Sequence, residues 1–329
     1  MSHVFTYRVL QPDGAFTPTQ IVLPEPLAGQ VRVRIHASGV NPLDVKIRSG
    51  MAPHAKQPLP ATLGLDMAGV VDAVGPGVAS FHVGEEVFGM VGGVGGTQGT
   101  LAEYIVTSAE LLARKPESLT MREAAALPLV AITAWEGLVD RAQVRPGDQV
   151  LVHAGAGGVG NLVVQLAGAY GAKVFATVSD AKKHWVEQWG ATAIDYQTTS
   201  VEQYVSTYSG GRGFDIVYDT VGGSTLDASF VAAKIYTGHV VSCLGWGTHA
   251  LSPLSFRGAT YSGVFTLLPL LTGKGHTHHG EILREVAALV DAQKIRPMMH
   301  DKSFSVAEID AAHTAVKNGS LGKVVVDLV

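Results

Sequence analysis

An apolar run that ends in clustered glycines constrains this chain more than any other feature. Residues 149–153 read Gln-Val-Leu-Val-His and lead into Ala154, Gly155, Ala156, Gly157, Gly158, Val159 and Gly160, after which an amphipathic pattern runs through residues 161–167. Gly155, Gly157 and Gly160 satisfy G-x-G-x-x-G between a predicted strand and a predicted helix. The first glycine turns the chain, the second admits a pyrophosphate against the backbone, and the third lets helix pack on strand. The helix N-terminus adds partial positive charge. A second apolar run, residues 173–178, follows at the spacing of a βαβ unit. The pattern predicts a parallel sheet that binds a dinucleotide, with Gly155, Gly157, Gly158, Val159 and Gly160 at its phosphates.

The rest of the chain narrows the class. A length of 329 residues suits two domains, and 47% hydrophobic against 16% charged residues supports a large core rather than disorder. A net charge of −4 without a basic block argues against a nucleic-acid partner. Residues 1–8 carry no signal-peptide core, and the apolar stretch 264–271 is too short for a membrane span and contains Pro269. The expectation is a soluble, cytoplasmic protein with no membrane partner. Cys243 is the only cysteine, so there is no intrachain disulfide and no Cys-rich zinc lobe. Its apolar setting, residues 240–244, predicts a small core residue in a buried strand.

The first third reads as β-rich. Residues 30–37 alternate strictly, residues 68–75 end at Gly75-Pro76-Gly77, and residues 86–91 and 101–106 are further strands. The glycine-rich loop 92–99 is followed by strand rather than helix, which predicts a mobile loop beside a pocket. Thr120 and Glu123 form a capping box, Pro128 restarts the helix, and residues 129–139 continue it. Beyond the turn at 145–148, strands and helices alternate. Strand 173–178 is followed by a helix through Trp185 and Trp189, strand 193–196, a helix near 201–208, and strands at 213–219, 239–244 and 260–265. That alternation predicts a doubly wound parallel sheet. The tail holds a helix at 280–293 and a strand at 323–328, with His276, His278 and His279 in an exposed loop capping that helix rather than in a metal site.

Several local matches then accumulate. Residues 39–44, Gly-Val-Asn-Pro-Leu-Asp, and 47–50, Ile-Arg-Ser-Gly, are joined by 102–104, Ala-Glu-Tyr, and by 127–135 around Leu127-Pro128. The glycine segment 152–160, Ile194-Asp195-Tyr196 and the closing 322–326, Gly-Lys-Val-Val-Val, complete the set. With these residues the chain resembles the medium-chain dehydrogenase/reductase superfamily, and within it the zinc-independent quinone oxidoreductases. The resemblance implies an α/β protein with a GroES-like β-rich catalytic domain from both chain ends, 1–121 and 267–329, and a Rossmann domain at 122–266. It also implies a homodimer formed through an edge strand near 260–265. The superfamily's alcohol dehydrogenases hold zinc with a cysteine where this chain has Asn41, and with a histidine in a motif that here reads Gly64-Leu65-Asp66. Asparagine and leucine do not ligate zinc, so no metal is expected.

The site expectations follow. The tip of the second strand carries Val178 and Ser179 where an NAD enzyme carries an acid, and Lys182 and Lys183 lie just beyond. Asp180 stands against a 2′-phosphate there. In the family a lysine after this strand and the tyrosine matching Tyr196 contact that phosphate, so NADPH is the expected cofactor and Lys182 and Lys183 compete for one role. The resemblance places Thr133, Leu244 and Phe265 near the nicotinamide. The catalytic candidates are Asn41, Asp44 and Lys46. Asn41 donates to a substrate carbonyl or to the nicotinamide ribose, or is simply a turn residue before Pro42. Asp44 orients its neighbours rather than acting as an acid. Lys46 stands where many relatives have tyrosine. It binds the ribose, protonates an enolate when burial favours its neutral form, or is a surface lysine. Met51, Met90 and Trp246 suit either an apolar pocket or the core. The implied activity is an NADPH-dependent, zinc-independent reductase that transfers a hydride to a small quinone or α,β-unsaturated carbonyl compound. The alternatives are an enoyl-thioester reductase and a non-catalytic NADPH-binding protein.

Overall fold

The computed structural model describes residues 2–329; Met1, the first residue of the expected 1–121 segment, lies outside the described residues. The N-terminal part is β-rich. Strand β1 (His3–Val9) pairs antiparallel with β2 (Phe16–Val22). Next come β3 (Gln30–Val40), α1 (Pro42–Arg48), β4 (Ala61–Thr62), β5 (Asp66–Val74), β6 (Glu86–Met90), β7 (Tyr104–Ser108), β8 (Leu112–Arg114) and α2 (Met121–Ala125). The expected alternation holds over the first half of β3, where Val31, Val33 and Ile35 are buried and Arg34 is exposed. From Ala37 to Val40 the strand is buried on both faces, because other elements cover it there. Its residues pack with Met67, Val71, Val87 and Ile105 into the core of this unit. The capping box is present: Thr120 Oγ1 accepts from the Glu123 N–H, and Glu123 accepts from the Thr120 N–H.

The central part begins in α3 (Pro128–Trp135), which runs into a π-helical turn over Glu136–Arg141. Then follow β9 (Gln149–His153), α4 (Gly158–Ala169), β10 (Lys173–Val178), α5 (Lys183–Glu187), β11 (Thr192–Asp195), α6 (Val201–Ser209), β12 (Ile216–Asp219), α7 (Ser224–Ala232), β13 (His239–Ser242), α8 (Ser252–Arg257) and β14 (Thr260–Gly263). The six strands form one sheet in the order β11-β10-β9-β12-β13-β14, and every pairing is parallel. Leu151, Phe175, Val217, Phe230 and Val240 are buried in this unit's core. Cys243 lies one residue beyond β13 and is half-buried rather than inside the strand.

The chain returns through α9 (Leu268–Thr272), α10 (His276–Asp291), β15 (Phe304–Ser305), α11 (Ile309–Lys317) and β16 (Val324–Asp327). Strand β16 lies antiparallel on β3, so the chain's end completes the sheet that its beginning started, in the order β15-β16-β3-β5-β6-β8 with β7 also on β3. The fold is thus a GroES-like β unit and a Rossmann-like parallel unit. One compact unit comprises Met1–Leu129, Leu267–Gln293 and Pro297–Val329, and the other Val130–Thr266 with Lys294–Arg296. No helix among the described residues is long and apolar enough to cross a membrane.

Two loop expectations are corrected. The histidine cluster is not an exposed loop: His276, His278 and His279 form the first turn of α10, and His279 is fully buried. A helix whose first turn lacks an acidic residue and a side-chain cap gives no sequence sign of its start. The 92–99 loop is tied down at its tip and buried at its start. Gln57 accepts from the Gly96 N–H at 2.7 Å and donates to the Thr97 carbonyl at 2.9 Å, while the Gly95 N–H reaches the Ala55 carbonyl at 2.9 Å. Gly92, Gly93 and Val94 are buried.

Candidate active site

In the Rossmann-like unit the chain fills the sheet outward from β9 to β11 and then returns to place β12 on the other side of β9. That reversal opens a crevice beyond the C-terminal ends of β9 and β12, where open α/β sheets take their ligands. The glycine loop occupies it. Gly155 N–H donates to the Thr177 carbonyl at 3.1 Å, Ala154 N–H donates to Thr177 Oγ1 at 3.2 Å, and the Gly157 N–H closes onto the Ala154 carbonyl at 2.8 Å. A Cβ on Gly160 would stand 2.3 Å from the Ala154 carbonyl oxygen, and one on Gly155 would stand 2.6 Å from the Ala176 Cβ. These two glycines are needed for close packing. Gly157 caps α4, and Gly157 and Gly158 are exposed. The unpaired N–H groups of the first helical turn are therefore open to an anion, and the site fits a pyrophosphate.

Residues the sequence reading passed over hold this crevice in shape. The buried Asp219 carboxylate, at the end of β12, accepts from the Val221 and Gly222 N–H groups at 3.0 Å each and from Ser242 Oγ at 2.7 Å. Thr220 Oγ1 donates to the His153 carbonyl at 2.7 Å. His153 is buried with Nδ1 3.1 Å from Thr177 Oγ1, and burial pushes its pKa down to about 4, so the ring is neutral near pH 7. An Asp closing a strand before Thr-Val-Gly-Gly is the signal that marks this turn.

At the neighbouring strand end, β10 and β11 run in register with Val178 opposite Asp195, which brings Ser179 and Tyr196 side by side. Tyr196 is 58% exposed, with its N–H on the Val178 carbonyl at 3.3 Å. Lys183 Nζ lies 2.7 Å from Asp180 Oδ1, whereas Lys182 is exposed and its ammonium has no partner among the described residues. Thr133 is buried with Oγ1 2.8 Å from Thr266 Oγ1, and Tyr218 donates to the Thr133 carbonyl at 2.5 Å. Leu244 follows β13 with its N–H on Ser242 Oγ at 3.1 Å. Phe265 follows β14 and meets Trp246 edge-on, centroids 5.9 Å apart. The C-terminal ends of the parallel strands thus gather most of the expected cofactor residues on one edge of the sheet.

The β unit carries a second, separate constellation. Asn41 leaves β3, and its backbone N–H donates to Asp44 Oδ2 at 2.8 Å. The other Asp44 oxygen accepts from the Gly64 N–H at 3.2 Å, which ties α1 to the 64–65 turn. Gly64 has φ +99°, and a Cβ there would stand 2.3 Å from Thr100 Oγ1. Asn41 Nδ2 donates to Asp66 Oδ2 at 2.9 Å, and Lys323 Nζ donates to Asn41 Oδ1. Lys323 Nζ also lies 3.7 Å from Asp66 Oδ2, and Asp66 Oδ1 accepts from the Leu129 N–H at 2.9 Å. All four side chains are buried. Burial pushes the Asp44 pKa up to about 7, raises that of Asp66 and lowers that of Lys323; attraction between Lys323 and the two carboxylates works against these shifts, while the like charge of Asp66 adds to that of Asp44.

Register explains the meeting. Val324 pairs with Val40 in the antiparallel β16–β3 ladder, so Lys323, one residue before, comes opposite Asn41, one residue after. Gly39 pairs with Asp66 across β5. Lys46 is exposed on α1. Of the three pocket-or-core residues, Met90 is fully buried in the core, Met51 is 75% exposed and Trp246 51% exposed.

Comparison with known proteins places this architecture. The pattern of the "Alcohol dehydrogenase GroES-like domain" matches residues 27–117, and that of the "Zinc-binding dehydrogenase" matches residues 189–326. The NADPH-dependent alkenal/one oxidoreductase of Arabidopsis thaliana, a chloroplastic protein, is 36% identical over 94% of this chain and 74% of its own length. The chain belongs to the medium-chain dehydrogenase/reductase superfamily. Another member, the 2-methylene-furan-3-one reductase of Solanum lycopersicum, is 35% identical over 94% of this chain and 74% of its own length. The crystal structure of an alcohol dehydrogenase superfamily protein from Novosphingobium aromaticivorans superposes with a TM-score of 0.97 at 53% identity, covering 99% of this chain and 100% of that one. The zinc named in one of these superfamily descriptions does not fit the residues present here. Leu65 offers no donor atom, and the Asn41 amide oxygen is taken by an ammonium that repels a divalent cation. The described residues contain no group of three His, Cys, Asp or Glu side chains able to hold a metal ion.

Proposed function

We propose that this protein is an NADPH-dependent, zinc-independent reductase acting on a small α,β-unsaturated carbonyl compound or quinone. The 36% identity over 94% of the chain to an NADPH-dependent alkenal/one oxidoreductase carries the reading. Geometry supports it: a glycine cradle at the reversal point of a parallel sheet, with an unpaired lysine at the next strand end. When bound, NADPH supplies a hydride from its nicotinamide. Gly158 and Val159 present N–H groups to the pyrophosphate, the exposed Gly157 admits it against the backbone, Gly155 and Gly160 keep the loop packed on the strand and helix, and Ser179, Lys182 and Tyr196 receive the 2′-phosphate. Thr133, Leu244 and Phe265 position the nicotinamide. Asn41 provides the polar wall for the acceptor carbonyl or the nicotinamide ribose, with Asp44 fixing the backbone beneath it. Lys46, being exposed, fits a contact to the ribose better than a proton donor to an enolate.

A homodimer formed on the open edge of β14 belongs to the same reading, since that strand pairs on one side only. So does a reducing compartment such as the cytoplasm, which suits a chain with one cysteine. The test is NADPH oxidation against enones, quinones and acyl thioesters, with NADH and a chelator as controls. Chelator-insensitive turnover of enones or quinones with NADPH preferred is expected. Preference for acyl thioesters would move the assignment to an enoyl-thioester reductase. Tight NADPH binding without turnover would move it to a binding protein.

A further inference from the structure

Lys323 reaches the Asn41 side chain from 282 residues away in sequence, through the last strand of the fold. It is buried, and a buried ion is costly unless it is compensated. Filling space does not require it, because an apolar side chain of similar volume is often neutral or stabilising at such a position. What the ammonium does provide is direction. An asparagine amide can sit in two orientations that differ by exchange of N and O. Here one side of the amide faces the Asp66 carboxylate, which needs a donor, and the other faces the Lys323 ammonium, which needs an acceptor. Only the orientation with Nδ2 toward Asp66 and Oδ1 toward Lys323 satisfies both.

We propose that Lys323 is a positioning residue for the reduction: its ammonium locks the Asn41 amide in one orientation and holds the Asp66 carboxylate that shares it. The inference rests on the reading of Asn41 as part of the acceptor or ribose wall. The opposing influences of burial and charge on Asp44, Asp66 and Lys323 accord with a cluster whose members compensate one another.

Three variants test it: Lys323→Met, Lys323→Arg, and Asp66→Asn combined with Lys323→Met, which removes both ends of the Lys323–Asp66 pair if the single change fails to fold. The chain has three asparagines, Asn41, Asn161 and Asn318. Labelling them with nitrogen-15 reports the side-chain amides directly, with Asn41→Asp assigning the signal. In Lys323→Met the Asn41 amide protons are expected to shift and to exchange faster with solvent. The kcat for an accepted enone is expected to fall about 10- to 100-fold, as misplacement of a positioned group does. The KM and the NADPH Kd should stay near wild type, and Lys323→Arg should restore part of kcat. An unmoved Asn41 signal, or wild-type kcat in either neutral variant that folds, overturns the proposal. If the wild-type protein reduces no acceptor, the reductase reading falls, and the Asn41 signal alone decides whether Lys323 positions it.

Discussion

Lys183 Nζ lies 2.7 Å from Asp180 Oδ1, whereas the neighbouring Lys182 ammonium has no partner among the described residues at the end of β10. The pairing also answers the objection that Asp180 raises against a 2′-phosphate, because its charge is met by a cation from its own turn. Lys182→Ala is therefore expected to weaken NADPH binding by about 3- to 10-fold, the worth of a charged contact at an exposed site, and to leave NADH binding unchanged. Titration of both nucleotides by fluorescence checks this. Equal losses for NADPH and NADH would remove Lys182 from the 2′-phosphate.

Ala154 holds φ +52° in the glycine loop, a left-handed conformation that a Cβ disfavours. Ala154→Gly relieves that strain but adds unfolded-chain entropy, so a net stabilisation of about 0.5–1 kcal/mol is expected. A thermal melt at neutral pH measures it. An unchanged or lower Tm would mean that the loop imposes no strain at this position.

His313, on α11, is buried 4.7 Å from the Phe16 ring with no partner on either ring nitrogen, and burial followed by the charge of Arg48 pushes its pKa down to about 3. His153 is held at about 4 by burial. Both rings are neutral in the folded protein at pH values where the unfolded chain, with a histidine pKa of about 6.5, is protonated. The unfolded state thus binds more protons, and stability contributed by these rings is complete above about pH 6.5 and is lost as pH falls from there toward 4 and then 3. Each ring contributes a slope approaching about 1.4 kcal/mol per pH unit in that window. His313→Leu is expected to remove one proton from the pH dependence of unfolding between pH 6 and 4.5, measured in urea at several pH values. An unaltered slope would show that this ring does not stay neutral.

Strand β14 turns alternate residues toward β13: the Thr260 and Val264 N–H groups bond to Gly238 and Ser242, so the Gly263 N–H faces the open edge. Proline at position 263 removes an outward donor while sparing the ladder. Light scattering is expected to report the dimer mass for the wild type and the monomer mass for Gly263→Pro. A dimer that survives the change would place the interface elsewhere.

Much of this protein is local and therefore legible in the chain itself. The glycine fingerprint, the alternation through β3, the capping box at Thr120 and the βα rhythm each depend on residues a few positions apart, and each led to the parallel and β-rich units observed. The start of α10 was not legible, because its first turn carries neither an acidic residue nor a capping side chain. The pinning of the 92–99 loop by Gln57 was equally hidden, since nothing near that loop announces a partner about 40 residues away.

The candidate site divides along the same line. Asn41, Asp44, Ser179 and the glycines stand out by type and neighbourhood, which is all that a linear pattern records. That Lys183 is spent on Asp180, that Asp219 ties the ends of β12 and β13, and that Lys323 meets Asn41 depend on side-chain geometry and strand register. Register in the β16–β3 ladder is set by the whole sheet burying its apolar faces, so only the folded chain could bring its two ends to one buried amide.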